Sequence, residues 1–369
     1  MLLDEETIEP TDDLISEEDD TDSFDDDSVV NVSELAPQEI RAYVNSLKEI
    51  SQYWFLTYFP EKSDLSSEEN LWLERLNRIG IGYFRPIVTL SLLPEMNITE
   101  DERLSLYTAI ERFIFICFKM GTFQSSYKSS YYYRKGKDLY YGETNIHDII
   151  RSLNETVSED LNTALSNFTA KMATRFSKHD GFYSWRDLRY VLFEYEHEKA
   201  ENTGIQKIDW ESYANLEKDR LSIEHILPQS PTKWYWKNQF RPFTEKEIKS
   251  LSGSLGNLLP LSQSISPAMQ NEAFPDKKAG QTPGRRGYRN GSHSEIEVST
   301  KEEWSADAIL ERGMNLLAFM EKRWDFSFEN EQQMLDLLHI EFVTEDREDV
   351  PEIPEEITLP LDDEDTIDS

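Results

Sequence analysis

Residues 220–230 read RLSIEHILPQS, a short apolar run that carries Glu224 and His225 side by side and stops at Pro228. Isoleucine and leucine around the pair predict a short β-strand. Neighbouring side chains of a strand point to opposite faces, so packing alone does not explain an acid next to an imidazole. A histidine can take a proton from water near neutral pH, and a carboxylate can hold a divalent cation. The pair therefore predicts a hydrolytic site, although a Glu-His dipeptide alone is a weak signal.

The sequence that follows strengthens this interpretation. Residues 254–278 read SLGNLLPLSQSISPAMQNEAFPDKK, which predicts a second short strand with Asn257 after a glycine. This strand leads into a predicted helix that begins at Ser266–Pro267. A strand with a histidine, a loop, a strand with an asparagine and then a helix is the order of elements in the ββα-metal nuclease fold.

The net charge of the 369-residue chain is -34, and most of it lies at the two ends. Residues 1–27 carry 14 acidic side chains and no Lys or Arg, and residues 344–369 carry 12 acidic side chains and one Arg. Such segments lack the apolar residues that would offset the entropy lost on ordering. We therefore expect acidic, disordered tails. A solubilising role is favoured, and pairing with a basic surface is the alternative.

A basic stretch stands out against this acidic background. Residues 233–290 contain ten Lys or Arg and four Asp or Glu, a local excess of +6. A positive surface of this kind is typical of contacts with phosphate groups. The residues predicted to contact DNA phosphates are Lys277, Lys278, Arg285, Arg286 and Arg289. A plain interaction protein, whose basic patch docks its own acidic tails, is the alternative.

Residues 37–200 have the apolar spacing of helices, with apolar side chains recurring every three or four positions. We expect a bundle of about six or seven helices there. Predicted helix ends include Ser66 or Ser67, Gly80, Thr99 or Asp101, and Gly121. A later amphipathic helix is predicted to begin at Ser299 or Thr300.

The tyrosine-rich run SSYYYRKGKDLYYGE, residues 129–143, allows two interpretations. Aromatic side chains interleaved with Arg134, Lys135 and Lys137 can stack on and clamp a nucleic acid. A tyrosine-rich helix junction packed under the bundle is favoured over that role.

Cys117 is the only cysteine, which excludes a disulfide framework and a cysteine-based zinc site within one chain. The first ten residues are acidic where a signal peptide would be basic, and no apolar run has the length needed to span a bilayer. We therefore expect a cytoplasmic protein with no membrane partner. No Walker-type glycine loop is present, so no nucleotide site is predicted in this chain.

Four segments together resemble a known domain, the HNH endonuclease-like C-terminal domain of the GmrSD family, which is related to modification-dependent (type IV) restriction systems. The segments are SIEHILPQ, LGNLLPL, FPDKK and the late W…ILERGMNLLAFMEKRW, in that order. The resemblance covers about residues 205–325, and the preceding bundle is similar to the helical region that usually precedes this domain.

The resemblance implies a role for each matching residue. Glu224 corresponds to an acidic metal ligand, His225 to the general base, and Asn257 to the asparagine that orients the loop of the base. The family usually has a second asparagine ligand nine residues after the central one, where this sequence has Ser266. Asn271 is the alternative ligand. The implied cofactor is a divalent metal, Mg²⁺ or Mn²⁺.

The predicted architecture is mainly α with a small α+β part. It consists of an acidic disordered tail (1–34), a helical bundle (35–200), a ββα-metal (HNH, His-Me finger) nuclease domain with a C-terminal helix (201–330), and a short helix followed by an acidic disordered tail (331–369).

The implied function is metal-dependent cleavage of DNA, including modified phage DNA, in a restriction or phage-defence system. Full-length relatives also carry an N-terminal nucleotide-binding domain with an Asp-Gly-Gln-Gln-Arg motif, which is absent from this sequence. We therefore expect a separate nucleotide-hydrolysing partner subunit. The alternative is a catalytically weakened HNH-like protein that binds DNA or a partner without cutting.

Overall fold

The computed structural model describes residues 36–214, 223–262, 271–280, 287–347 and 350–354. Several predictions concern residues outside these ranges. They are the predictions for the N-terminal tail, for Ser266 and the helix expected to start there, for Arg285 and Arg286, and for residues 355–369. The chain forms two compact units, Met1–Glu49 and Ile50–Ser369.

In the described part of the first unit, residues 36–49, helix α1 (Pro37–Tyr58) begins after Ala36. The helix begins at Pro37, as the sequence predicts, because a proline at the first helical position removes only an N–H that would have no partner within the helix. Ile40, Val44 and Leu47 are exposed on this part of the helix.

Six further helices follow α1, so residues 37–203 form seven helices, within the six or seven that the spacing of apolar residues predicts. The six are α2 (Ser67–Ile79), α3 (Arg85–Ser91), α4 (Glu100–Phe113), α5 (Ser129–Tyr140), α6 (Ile146–Ser177) and α7 (Leu188–Thr203). Of the predicted ends, Ser66 caps α2, Gly80 ends it in a left-handed conformation, and Thr99 forms a capping box with Glu102. The helix predicted to continue to Gly121 changes at Ile114 into a π-helical segment, Ile114–Met120.

The remaining elements are shorter. The chain continues through α8 (Trp210–Ala214), β1 (Ile223–His225), α9 (Trp234–Gln239), α10 (Glu245–Gly253), β2 (Leu258–Pro260), α11 (Phe274–Ala279), α12 (His293–Ser299), α13 (Ala306–Trp324) and α14 (Glu331–Leu338). Short 3₁₀ turns lie at Pro60–Lys62, Gly82–Phe84, Pro94–Met96, Gly181–Ser184, Leu255–Asn257, Tyr288–Asn290 and Glu341–Thr344.

The strands β1 and β2 pair in antiparallel fashion, with Glu224 opposite Leu259 and His225 opposite Leu258. The described residues are mainly helical, which confirms the mainly α class. Asn257 was predicted within the second strand but lies in the 3₁₀ turn immediately before it. Strand β1 ends at His225, so the Glu-His pair stands at the end of the strand.

The hydrophobic core of the second unit continues across residues 200–205, where a domain boundary was expected. A single buried cluster contains residues from both sides, such as Phe193 of α7 and Leu259 of β2. The 3₁₀ turn Leu255–Asn257 packs directly on α13, because Gly256 has no side chain: a Cβ there would overlap the carbonyl oxygen of Ile309.

Helix α13 begins later than predicted. Its N-cap is Ser305, whose side chain accepts a hydrogen bond from the N–H of Ala308, and not Ser299 or Thr300. Ser299 instead ends α12. The six residues between the two helices include Trp304, which is fully buried.

Some residues of the expected acidic tail contact the helices. Within the expected acidic tail, Arg347 forms an ion pair with Glu247 at 2.6 Å. The carbonyl oxygen of Ile353 accepts a hydrogen bond from the Trp234 indole at 2.8 Å. Residues 345–347 and 350–354 therefore contact the helices α9 and α10 rather than standing free.

A buried ion cluster joins α4, α7 and α13. The Arg323 guanidinium donates two hydrogen bonds to the fully buried carboxylate of Glu111, at 2.6 and 2.8 Å, and lies 3.3 Å from Glu194. Tyr190 and Trp324 also donate to Glu111, at 2.6 and 3.2 Å. Among the described residues, none of the helices has the length and apolar composition to cross a membrane.

We predict that Arg323→Ala lowers the free energy of unfolding by about 3–5 kcal/mol, because it leaves the buried Glu111 carboxylate without its main counter-charge. Equilibrium urea denaturation measures the change. Lys322→Ala is the matched control on the same helix, since its side chain is 77% exposed, and should have little effect. Equal losses for both variants would contradict the assigned role of the cluster.

Candidate hydrolytic site at the end of strand β1

The His225 ring lies at the point where β1 gives way to a loop. Its Nε2 atom is buried and has no hydrogen-bond partner among the described residues. Burial, together with a smaller contribution from the positive charge of Lys277, lowers the pKa of His225 to about 4. The imidazole is therefore neutral at pH 7 and has a nitrogen available to accept a proton.

The Tyr183 ring packs against His225, with ring centroids 4.5 Å apart. Tyr183 lies in the 3₁₀ turn Gly181–Ser184, which packs on the end of α10 through Gly181. Gly181 has φ +52° and a Cβ there would overlap the backbone of Gly253, so only glycine fits this contact. The close packing of these two glycines fixes the wall of the site on one side of the histidine.

Asn257 holds the loop that follows His225. Its side chain is fully buried; Oδ1 accepts a hydrogen bond from the N–H of Leu227 at 2.7 Å, and Nδ2 donates to the Leu227 carbonyl at 2.9 Å. Nδ2 also donates to Ser252, and the Asn257 carbonyl accepts from the N–H of Ile226. One amide thus satisfies both backbone groups of Leu227, which is the geometry that an orienting role requires.

Trp304 completes the environment of this amide. Its indole Nε1 donates to Asn257 Oδ1 at 3.0 Å, and its ring is fully buried against Phe274, with centroids 5.6 Å apart. This contact is not predictable from the sequence, because the apolar pattern from Ser299 or Thr300 predicts a helix that includes Trp304. The indole selects the orientation of the Asn257 amide, since its N–H can bond only to an acceptor.

The carboxylate of Glu224 has a partner that the sequence did not predict. Lys277 Nζ lies 2.6 Å from Glu224 Oε1, and neither side chain is more than 5% exposed. Lys277 also donates to the carbonyl oxygens of His225 at 3.2 Å and Ile226 at 3.0 Å. Burial raises the pKa of Glu224 and lowers that of Lys277, and in each case the ion pair opposes the shift.

These contacts correct the predicted role of two lysines. Lys277 is completely buried, so the prediction that it contacts DNA phosphates is wrong for the described structure. Lys278 Nζ donates hydrogen bonds to the carbonyl oxygens of Lys301 and Glu302, at 2.7 and 3.1 Å, so its amine is bonded within the protein. Arg289, in the 3₁₀ turn Tyr288–Asn290, is exposed and remains available for the predicted contact.

Asn271, the alternative metal ligand, lies against a different loop. Its amide accepts from the N–H of Thr232 at 3.2 Å and donates to the Ser230 carbonyl at 3.1 Å and the Thr232 hydroxyl at 2.6 Å. No contact joins it to Glu224 in the described residues. Within the same residues, no group of three or more His, Cys, Asp or Glu side chains is placed to hold a metal.

The tyrosine-rich run proves to be partly packed and partly exposed. Tyr132 is fully buried against Phe84 and Phe113, as the favoured interpretation expects. The other four tyrosines of the run, Tyr131, Tyr133, Tyr140 and Tyr141, are between 38% and 66% exposed. The packing interpretation therefore holds for one tyrosine of five.

The site is thus a neutral histidine at the end of a short antiparallel strand pair, with a buried asparagine fixing the adjoining loop, in a mainly helical protein. Residues 166–319 match the family model described as GmrSD restriction endonucleases, C-terminal domain. This match confirms the family resemblance at these residues. No curated protein matches the chain. No solved structure matches it.

The matched segment covers less than half of the chain but contains the whole candidate site. It begins within α6, N-terminal to the boundary expected near residue 205, and so includes α7 and the turn that carries Tyr183. It ends within α13. The family is one of restriction endonucleases, which supports nuclease activity and DNA as the substrate.

We predict that Asn257→Ala lowers the free energy of unfolding by roughly 3 kcal/mol, because it leaves the buried polar groups of Leu227 and Trp304 without partners. Urea denaturation followed by tryptophan fluorescence measures the loss. Asn271→Ala is the matched control, since it removes an amide whose hydrogen bonds are not fully buried, and should cost less. A loss for Asn257→Ala no larger than that of the control would show that this amide does not hold the loop.

Proposed function

We propose that the chain is an HNH-type DNA endonuclease of the ββα class in which His225 is the general base. The proposal is supported chiefly by one observation: a neutral imidazole, with a free ring nitrogen, is held at the end of β1 inside a segment that matches a restriction endonuclease domain. The strand pair β1–β2, followed in sequence by helix α11, has the order of elements that the ββα class requires.

The chemistry assigned to these residues is hydrolysis of a phosphodiester bond. The oxygen of a water molecule attacks phosphorus, and His225 Nε2 takes the proton that this water loses. The bond from phosphorus to the leaving sugar oxygen breaks, and that oxygen gains a proton from solvent. Asn257 acts through the backbone of Leu227, because it keeps the loop next to the base in one conformation.

The predicted divalent metal, Mg²⁺ or Mn²⁺, does not fit the residues that the structure describes. Glu224, the predicted acidic ligand, is bonded to Lys277, and Asn271 is bonded to the loop at Ser230–Thr232. Ser266 lies outside the described residues. We therefore derive no catalytic step through a metal. Cleavage assays with and without EDTA test the metal dependence that the family resemblance implies.

The predicted DNA contacts reduce to the exposed Arg289, together with Arg285 and Arg286, which lie outside the described residues. The proposal also includes a role in phage defence, recognition of modified phage DNA and a cytoplasmic location. It further includes a separate partner subunit that hydrolyses nucleotides. The partner is proposed because the sequence carries no phosphate-binding glycine loop. The purified chain should then show no NTP turnover, and robust turnover by the single chain would refute a need for the partner.

A second function, binding DNA or a partner without cutting, is favoured by the Glu224–Lys277 ion pair. A carboxylate that is already paired with a buried ammonium has little affinity left for a catalytic metal. Detectable cleavage by the wild-type chain that depends on His225 excludes this alternative.

We predict that His225→Ala lowers cleavage of plasmid DNA by about 100-fold or more and leaves DNA affinity unchanged, because a general base acts only in the chemical step. Cleavage is measured on plasmid in Mg²⁺ or Mn²⁺, and affinity by fluorescence anisotropy. His147→Ala, which changes a histidine that is 67% exposed, is the matched control and should cleave like wild type. Equal cleavage by wild type and His225→Ala would rule out the proposed base.

For Arg289→Gln we expect weaker binding to all DNA sequences by a similar factor. The slope of log K against log salt should become smaller by about one unit, as for the loss of one phosphate contact. The measurement is anisotropy over a series of salt concentrations, with Lys322→Gln as a control for removal of one exposed positive charge. An unchanged salt slope would remove Arg289 from the DNA interface.

A further inference from the structure

Three oxygen atoms converge on the amine of Lys277. They are the Oε1 atom of Glu224 at 2.6 Å, the carbonyl oxygen of Ile226 at 3.0 Å and that of His225 at 3.2 Å. A lysine ammonium has three N–H donors, so the three oxygens account for all of them. The side chain is 0% exposed, and this set of contacts is therefore its complete polar environment among the described residues.

The position of Lys277 is set by the packing of its short helix. Phe274, at the start of α11, is fully buried, and the carbonyl just before this helix, at Glu272, accepts a hydrogen bond from the Trp236 indole at 3.1 Å. The Lys277 amine also lies 5.9 Å from the centre of the Trp236 ring. The amine is thus carried to Glu224 by a helix anchored in the core and not by a flexible surface chain.

We infer that the Lys277 ammonium, and not a divalent metal, is the cation that Glu224 binds in this protein. One carboxylate oxygen and two backbone carbonyl oxygens are the kind of hard ligands that also suit Mg²⁺ or Mn²⁺. A divalent ion could use them only after the amine of Lys277 had left, and the packing of α11 opposes this. The inference rests on the proposed function only in placing Glu224 beside the catalytic base.

The inference leads to a specific expectation for metal binding. Glu224→Gln, introduced as a single change, should leave the Mn²⁺ affinity near His225 the same as in wild type, because Glu224 is not a metal ligand. Lys277→Ser removes the amine and leaves the three oxygens facing a space. This variant should gain a Mn²⁺ site at least about tenfold tighter than any seen near His225 in wild type. Adding Glu224→Gln to Lys277→Ser should abolish the gain.

The measurement is Mn²⁺-induced broadening of the His225 ring signals in NMR spectra of the full chain, with the signals assigned by their loss in His225→Ala. This readout reports only on metal bound near His225, so Mn²⁺ held by other acidic segments does not disturb it. Lys278→Ser is the matched control, because its amine bonds to the carbonyls of Lys301 and Glu302 and its loss should create no site beside Glu224.

Two results would overturn the inference. The first is broadening of the His225 signals in wild type at low Mn²⁺ that Glu224→Gln removes. The second is a well-folded Lys277→Ser variant that gains no Mn²⁺ site. If Lys277→Ser fails to fold, the comparison of wild type with Glu224→Gln decides the question by itself. None of these measurements uses DNA cleavage, so failure of the proposed nuclease function would leave their outcome unchanged.

Discussion

The candidate site depends on the buried amide of Asn257. Four hydrogen bonds from this one side chain connect the loop after β1, the end of α10 and Trp304. The strands β1 and β2 are three residues long each, and so short a pair is not stable by itself in water. The amide supplies what the strands lack, because it fixes the backbone of Leu227 from within the core, and Gly256 allows the turn that carries it to lie directly on α13.

Much of the helical fold could be predicted from the sequence, because its signals are local. Ser66, Gly80 and Thr99 end or begin helices through hydrogen bonds to residues three or four positions away. The later start of α13 could not be predicted from the local pattern. Trp304 lies before the helix, and its indole bonds to Asn257, a residue far away in sequence. The sequence also does not show that α7 and β2 share one buried cluster, because the contacts between them join residues far apart along the chain.

The site was predictable to the extent that its chemistry lies in adjacent residues. His225 and Asn257 could be selected from their positions in two apolar runs, and the structure places them around one loop. Lys277 could not be assigned correctly, because a lysine in a basic stretch gives the same sequence signal whether its amine faces solvent or a buried carboxylate. Only the anchoring of α11 by Phe274 decides between the two, and this depends on the packing of the whole domain.

The pairing of Glu224 with Lys277 also has an electrostatic consequence for a protein of net charge -34. If His225 acts as the proposed base, a DNA phosphate has to approach the residue next to Glu224, and an unpaired buried carboxylate there would repel it. The ammonium of Lys277 cancels that charge at 2.6 Å, so the ion pair and the neutral imidazole together present no net charge. Burial of the ring, with a smaller contribution from the charge of Lys277, lowers the pKa of His225. For the proposed function, the buried ion pair thus removes the repulsion that the charge of Glu224 would exert on an approaching phosphate.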